Sequence, residues 1–232
     1  MTIVTPQPAL GPGNGPRFHP EGYCRLAVNL SKEEPDQSPS LPAPLSEKYL
    51  RAHTVGELTP LFSSIHIVDY DPQWPRRFER EAGRIQSVLA DRALRVEHVG
   101  STAVPGLPAK PIIDMVLVVA DSAEESEYAG PLENIGYQLH IREPGWRQHR
   151  MFKAPEQDVN LHVFSASCPE IHRMLAFRDR LRSSESDREL YGRSKRALAQ
   201  QEWKYTQNYA DAKTAVIEEI MSRARSSAAS CD

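Results

Sequence analysis

Long apolar runs are missing from this 232-residue chain. Nowhere do about 18 apolar residues stand together, so no transmembrane helix is expected. The opening Met1-Thr2-Ile3-Val4-Thr5-Pro6 lacks the basic segment and apolar stretch of a secretory leader. Cysteine is scarce: Cys24, Cys168 and Cys231 are too few and too scattered for a disulfide framework or a Cys-rich zinc site. A reducing, cytoplasmic setting is the expectation. Neither sign of charge dominates, with 28 Lys and Arg against 31 Asp and Glu. That balance argues against general nucleic-acid binding and leaves only local basic patches. No internal repeat is visible.

Proline, in contrast, is plentiful and uneven. Ten of the 19 prolines fall in residues 1–60, together with Gly11, Gly13, Gly15 and a polar run. Few apolar residues there recur with a period of 2 or 3.6, so the segment has little to offset its ordering entropy. The reading is a disordered Pro/Gly/Ser-rich tail over 1–61, a single domain over 62–226, and a disordered end over 227–232. A domain of ~165 residues supports one core. Deleting residues 1–60 is therefore expected to leave the melting temperature nearly unchanged. The one apolar patch of the tail is Tyr23-Cys24-Arg25-Leu26-Ala27-Val28.

Within the domain, Ile65-His66-Ile67-Val68 is a short apolar alternation, and Asp71-Pro72 reads as a helix cap followed by proline at the first helical position. Trp74, Phe78, Ile85, Val88 and Leu89 then give a helix with one apolar face. Leu94–Val99 is a strand, stopped by Gly100-Ser101. Ile112–Val119 has a single polar member and reads as a central strand covered on both faces. A helix capped by Ser122 follows, kinked or delayed by Pro131 and closed by Gly136. Tyr137–Ile141, Arg150–Ala154 and Val159–Phe164 predict three strands, the last two joined by a Pro155-to-Asp158 turn. From Pro169 the chain is helical: one helix carries Ile171, Met174, Leu175 and Leu181 inward, a second starts at Ser186 or Asp187 and a last spans Ala210–Arg225. The fold class is α/β (α+β): a small mixed sheet flanked by helices, with a C-terminal helical appendage.

The most informative block runs from Glu97-His98-Val99-Gly100-Ser101-Thr102 through Pro105, Pro108, Lys110 and Pro111 to Asp114. A strand ending in Gly-Ser-Thr at a helical turn offers free backbone N–H groups and hydroxyl donors to an anion. Asp114 then interrupts an apolar strand. A carboxylate there must be paired, metal-bound or at a cleft edge, because burying it alone costs several kcal/mol.

This Gly-Ser…Asp pattern resembles the nucleotidyltransferase-fold signature, and the chain more closely resembles the GrpB-like family. The matching residues are the Glu97–Asp114 block, Asn160-Leu161-His162-Val163, Phe177-Arg178-Asp179-Arg180-Leu181-Arg182, Tyr191-Gly192-Arg193-Ser194-Lys195 and Tyr209-Ala210-Asp211-Ala212-Lys213. The resemblance implies that Gly100, Ser101 and Thr102 hold the phosphates of ATP or another nucleoside triphosphate. It also implies that Asp114 carries a divalent metal, Mg2+. Its usual second carboxylate, two residues on, is Val116 here, and the nearest analogue of a third is the pair Asn160 and His162. Glu97 is the candidate for the missing charge. Magnesium affinity is accordingly expected to be weak, or the metal to arrive chelated by the substrate.

His98 and His162 each have two readings, a hydrogen-bonded core residue or a base or metal ligand in the cleft. His149 and Arg150 either face the site or, the favoured reading, form a solvated loop. Lys110 is either a phosphate contact or an exposed loop lysine. Arg178, Arg182, Lys195 and Lys213 are either a solvated helix face or a phosphate grip, with Arg178 favoured for the grip because Ala176 and Phe177 precede it. Tyr205 and Tyr209 read as helix packing in preference to a base-stacking platform, and Trp146 as a loop tryptophan near a ligand. The resemblance therefore implies a nucleotidyltransferase-like enzyme acting on a small-molecule acceptor. An amide-forming ligase working through an adenylated carboxylate, and an inactive nucleotide-binding protein, are the alternatives.

Overall fold

The computed structural model describes residues 45–61, 64–156 and 158–229. The Tyr23–Val28 patch and the tail before residue 45 lie outside the described residues. The expected apolar strand is Ile113–Val119 (β2), buried at every position except Asp114. It sits second in a five-stranded sheet with Arg95–Val99 (β1), Gln138–Glu143 (β3), His149–Lys153 (β4) and Val159–Ser165 (β5). The order is β1-β2-β5-β4-β3, with β2 and β5 parallel and the other neighbours antiparallel. The mixed sheet flanked by helices and the helical C-terminal segment are as the sequence predicts.

Register assigns the faces, since residues paired across strands point the same way. Met115, Leu117, Leu161, Val163 and Phe152 line one face and pack on Trp74–Leu89 (α2) and Ala129–Asn134 (α3). Trp74, Ile85 and Leu89 of α2 are buried there, each worth about 1.5–3 kcal/mol of apolar burial. Val99, Val116, Val118 and Phe164 line the other face beneath Ile171 of Pro169–Ser183 (α4). Glu185–Ala199 (α5), Thr206–Ala212 (α6) and Thr214–Ala229 (α7) complete the helical segment. Among the described residues no helix is long and apolar enough to cross a membrane.

Several boundaries differ from the sequence reading for local reasons. Asp71 caps a turn instead of α2: its Oδ1 accepts from Gln73 N at 2.8 Å, and Pro75, not Pro72, occupies the first turn of the helix. Pro131 delays α3, which begins at Ala129 after a turn of 3-10 helix at Glu125–Glu127. Ser184, not Ser186 or Asp187, caps α5, accepting from Asp187 N. Ile65–Val68 reduces to a single bridge, Val68 to Ala109. The last helix is two, divided at Lys213, and α7 continues past residue 226 to Ala229.

The larger correction concerns residues assigned to the tail. Glu47–His53 forms a helix (α1) capped by Ser46, with Glu47 in its first turn and Arg51 and His53 in its last, the charge order the helix dipole favours. Leu50 is buried, Thr54 bridges Ile141 of β3, and Val55 N donates to His140 O at 2.9 Å.

Candidate functional site

Gly100 leaves β1 with φ +68, a conformation that only glycine adopts freely. A Cβ there would stand 2.5 Å from Asp114 Oδ2, so the missing side chain is also what lets the carboxylate lie against the turn. Asn160 Nδ2 donates to Asp114 Oδ1 at 2.9 Å. Val99, Asp114, Asn160 and Lys153 are consecutive partners across β1, β2, β5 and β4, which sets the last three in one row on one face. Lys153 carried no signal in the sequence, because only the strand register brings it there.

Lysines surround this row. Lys195 of α5 is buried and donates to Ser101 Oγ at 2.8 Å and to the Pro108 carbonyl at 2.5 Å. Burial, helped by nearby Lys213, pushes its ammonium down to about 6 against the pull of Asp114. Lys213, between α6 and α7, lies over the Tyr209 ring. Its pKa is lowered by burial, with Asp114 opposing. Lys110 is lowered by burial and by Lys213, and feels both Asp114 and Lys153. Asp114 keeps partial access to solvent. Burial nonetheless raises its pKa, although Asn160 and the three lysines Lys213, Lys110 and Lys195 all favour its charged form. One carboxylate among several ammonium groups is a cradle for an anion. Pro105, Pro108 and Pro111 stiffen the loop between, and Pro108 supplies the carbonyl that holds Lys195.

This donor set does not fit a resident divalent cation. Among the described residues no three His, Cys, Asp or Glu side chains come together as a metal site. Glu97, expected to add charge, accepts from Arg178 Nη1 at 3.0 Å and pairs with Arg95. Asn160 spends its amide on Asp114, and Val116 is a buried core residue.

Of the two readings of His98 the core one holds, and Thr102, Arg178 and Arg182 are engaged within the fold. His98 pairs with Met115 and so points to the α2 face, away from Asp114. It stacks on Phe78 with ring centroids 4.7 Å apart and bonds Thr102 Oγ1 at 3.1 Å, while burial pushes its pKa down to about 4. It lines a separate cavity of ≈ 690 Å³ with Phe78, Tyr70, Arg178 and Arg182. Thr102 is turned inward, its hydroxyl donating to Ile112 O. Arg178 ties α4 to β1 through Glu97 and the His98 carbonyl at 3.0 Å, and Arg182 ties α4 to the turn after β1 through Ala103 O at 2.9 Å. Tyr205 and Tyr209 are buried, as packing residues are.

His162 lies on the Asp114 face, one alternate position along β5 from Asn160, beside Val116. It heads a hydrogen-bonded chain that the sequence did not announce. His162 Nδ1 bonds His149 Nε2 at 2.9 Å, and His149 Nδ1 bonds Glu143 Oε2 at 2.6 Å. Glu143 Oε1 accepts from the Tyr49 hydroxyl of α1 at 2.9 Å. His149 and Arg150, expected in a solvated loop, are buried on β4. Trp146 stands edge-on to His149 and Phe164. Burial, with a contribution from His149, pushes His162 down to about 3.

Comparison with known proteins places this architecture. The profile of the family "GrpB protein" matches residues 64–223. A UPF0157 protein of Halalkalibacterium halodurans is 57% identical over 190 residues, covering 82% of this chain and 97% of the relative. A UPF0157 protein of Streptomyces coelicolor is 46% identical over 161 residues, 69% of this chain and 84% of its own. The crystal structure of conserved protein GrpB from Enterococcus faecalis superposes with a TM-score of 0.60 at 32% identity, covering 68% of this chain and 98% of that one. With the profile matched across the sheet, the Gly100 turn and the lysine-bearing helices, the chain belongs to the GrpB family.

Proposed function

We propose that the protein binds a nucleoside triphosphate, ATP or another, with its phosphates against the Gly100-Ser101 turn, and transfers the nucleotidyl group to a small-molecule acceptor. The observation that carries this reading is Lys195, buried and held between Ser101 Oγ and the Pro108 carbonyl beside Asp114. A lysine kept there bears a large desolvation cost that an anionic ligand would relieve. Lys110, Lys213 and Lys153 supply further positive charge for a polyphosphate, the role that resident metal ions commonly fill in phosphoryl chemistry. Ser101 contributes a hydroxyl, and the backbone following Gly100 opens a turn of 3-10 helix at Ser101–Ala103.

A second reading, a nucleotide-binding protein without turnover, is favoured by one specific feature. Asp114 stands without a second carboxylate, since Val116 is apolar and buried. Calorimetry with ATP, GTP, CTP and UTP, each with Mg2+ and with EDTA, tests what both readings share. Binding that persists in EDTA and weakens tenfold or more in Lys195→Met is the expected result. Failure of all four nucleotides to bind under either condition would sink both. Pyrophosphate release across a panel of amino acids, sugars and polyols then separates transfer from binding alone.

A further inference from the structure

The direction of the chain Tyr49–Glu143–His149–His162 follows from its Tyr49–Glu143 end. Burial and the neighbouring carboxylate push the Tyr49 hydroxyl up to about 12, so it remains a donor. Burial pushes Glu143 up, but the bonds from His149 and Tyr49 outweigh it and hold the carboxyl below its usual value. Glu143 is therefore an acceptor at both oxygens, and His149 Nδ1 must carry the proton it shares at 2.6 Å. Where Nδ1 holds the one proton of His149, its Nε2 accepts, so His162 donates from Nδ1 and keeps a lone pair on Nε2.

The surroundings hold this arrangement firmly. Arg147 and Gln148, immediately before His149, adopt φ of 56 and 52. Two successive non-glycine residues in the left-handed region are strained, and such strain persists only where packing enforces it. The His149 ring lies edge to edge with His162, centroids 5.2 Å apart and planes 18° from parallel, and packs beside Phe164 at 4.9 Å with Trp146 across its edge. His162 retains partial exposure. Among the described residues no hydrogen bond occupies its Nε2, and that nitrogen is not sealed from solvent.

We propose that Glu143 and His149 are positioning residues that present His162 Nε2 as the proton acceptor for the incoming nucleophile, an alcohol or amine, in the nucleotidyl transfer assigned to this site. The role rests on that transfer for its reaction, while the relay itself is a property of the resting protein. In the step, the acceptor O–H or N–H proton passes to His162 Nε2 as the acceptor atom bonds to the α-phosphorus. The bond from that phosphorus to the bridging oxygen breaks, and pyrophosphate leaves with the electron pair. His162 Nδ1 passes its proton to His149 Nε2. The positive charge thus comes to rest on His149 against the Glu143 carboxylate, not on His162, where burial disfavours it.

Long-range 15N–1H correlation spectra of the full chain at neutral pH, assigned with His149→Asn and His162→Asn, read the tautomers directly. Both rings are expected to carry the proton on Nδ1. A wild-type His162 protonated on Nε2, or a His162 Nε2 resonance that moves on adding Mg2+ alone, overturns the proposal. In Glu143→Gln the Tyr49 hydroxyl claims the amide oxygen and leaves the NH2 facing His149, so the relay reverses and the His162 proton moves to Nε2. Carbethoxylation of His162 by diethyl pyrocarbonate, followed by mass spectrometry, should slow about tenfold or more in that variant; an unchanged rate overturns the proposal. If Glu143→Gln fails to fold, the wild-type tautomer decides alone. ATP affinity within twofold of wild type in His162→Asn, with pyrophosphate release lowered about a hundredfold, assigns the base to the transfer; release at the wild-type rate overturns that role. A wild-type protein that binds no nucleotide defeats the transfer reading and leaves the tautomer result standing.

Discussion

Gly100 and Asp114 occupy one another's space. A Cβ on Gly100 would lie 2.5 Å from Asp114 Oδ2 and 2.9 Å from its Cβ, on a backbone already at φ +68. The glycine that shapes the anion turn is therefore also the residue that admits the carboxylate to it. Gly100→Ala adds left-handed strain, about 1–3 kcal/mol, to a backbone-adjacent clash. A drop in melting temperature of about 5–10 °C is expected, at about 2–4 °C per kcal/mol for a chain of this size. Nucleotide affinity should fall with it. Thermal unfolding at the wild-type temperature would show that the turn relaxes without cost.

Lys195 sets a pH dependence whose sign can be worked out. Burial, then Lys213, lowers its pKa to about 6 in the free protein, against about 10.4 in an unfolded chain. Between those values the unfolded chain binds more protons, so this residue makes stability rise with pH over that window. An anion beside the ammonium favours its charged form, so binding raises the pKa and takes up a proton. Nucleotide affinity should consequently weaken from pH 6 to pH 8, by up to about tenfold per unit. Calorimetry at pH 7.5 in buffers of different ionisation enthalpy should report net proton uptake. Zero uptake, or uptake unchanged in Lys195→Met, would contradict this assignment.

How much of this was readable in the sequence depended on whether chain neighbours or strand register brought the groups together. Gly100 and Ser101 follow β1, Asp114 stands on β2, and a stiff loop joins them, so their meeting is local and the motif exposes it. Lys195 and Lys213 fall in predicted helices whose periodicity leaves a solvated face and a phosphate grip both open. His98 keeps two readings in the sequence because alternation gives the side of a strand only relative to its neighbours. Once Val99 pairs with Asp114, His98 must face α2. Lys153, Glu143 and His149 have no motif at all, since β4 and β3 bring them in through long-range pairing. The helix α1 is short and buries only Leu50, too weak a periodic signal to stand out from a proline-rich segment.

That helix changes the outcome expected for truncation. Removing residues 1–60 deletes Leu50, the Tyr49 bond to Glu143 and the backbone bond from Val55 N to His140 O. The burial of one leucine and the lost hydrogen bonds amount to about 3–5 kcal/mol. The truncated protein should melt about 10 °C lower than the full chain, as differential scanning calorimetry would record. Coincident melting curves would show that α1 adds nothing to the domain.

Arg178 offers a clean separation of structure from binding. Its guanidinium is spent on Glu97 and the His98 carbonyl of β1 and on Asp179 of its own helix. Arg178→Ala leaves those acceptors without their donor at a cost of about 1–3 kcal/mol. The melting temperature should fall by several degrees while ATP affinity stays within twofold. A tenfold loss of affinity at unchanged stability would return Arg178 to the phosphate site.

Asp187 is the strongest polar tie among the C-terminal helices. It is 1% exposed, and its carboxylate accepts from Arg180 Nε of α4 at 2.7 Å, from Arg223 Nη1 of α7 at 3.0 Å and from no solvent to speak of. Burial raises its pKa, but the bonds from Arg180, Ser184 and Arg223 outweigh that and hold it below the ordinary value. Because the folded pKa is depressed, the stabilisation is fully present above the unfolded value near 3.9 and is lost as pH falls through the folded one. Asp187→Asn should therefore destabilise the protein at neutral pH, by about 1–3 kcal/mol, since Arg180 and Arg223 both keep access to solvent. The difference from wild type should shrink as the pH is lowered below 4. Urea titrations of both proteins at pH 7 and pH 3.5 measure it. A gap that is the same at both values would show that Asp187 acts by packing alone, and that its charge does not hold α4, α5 and α7 together over Lys195.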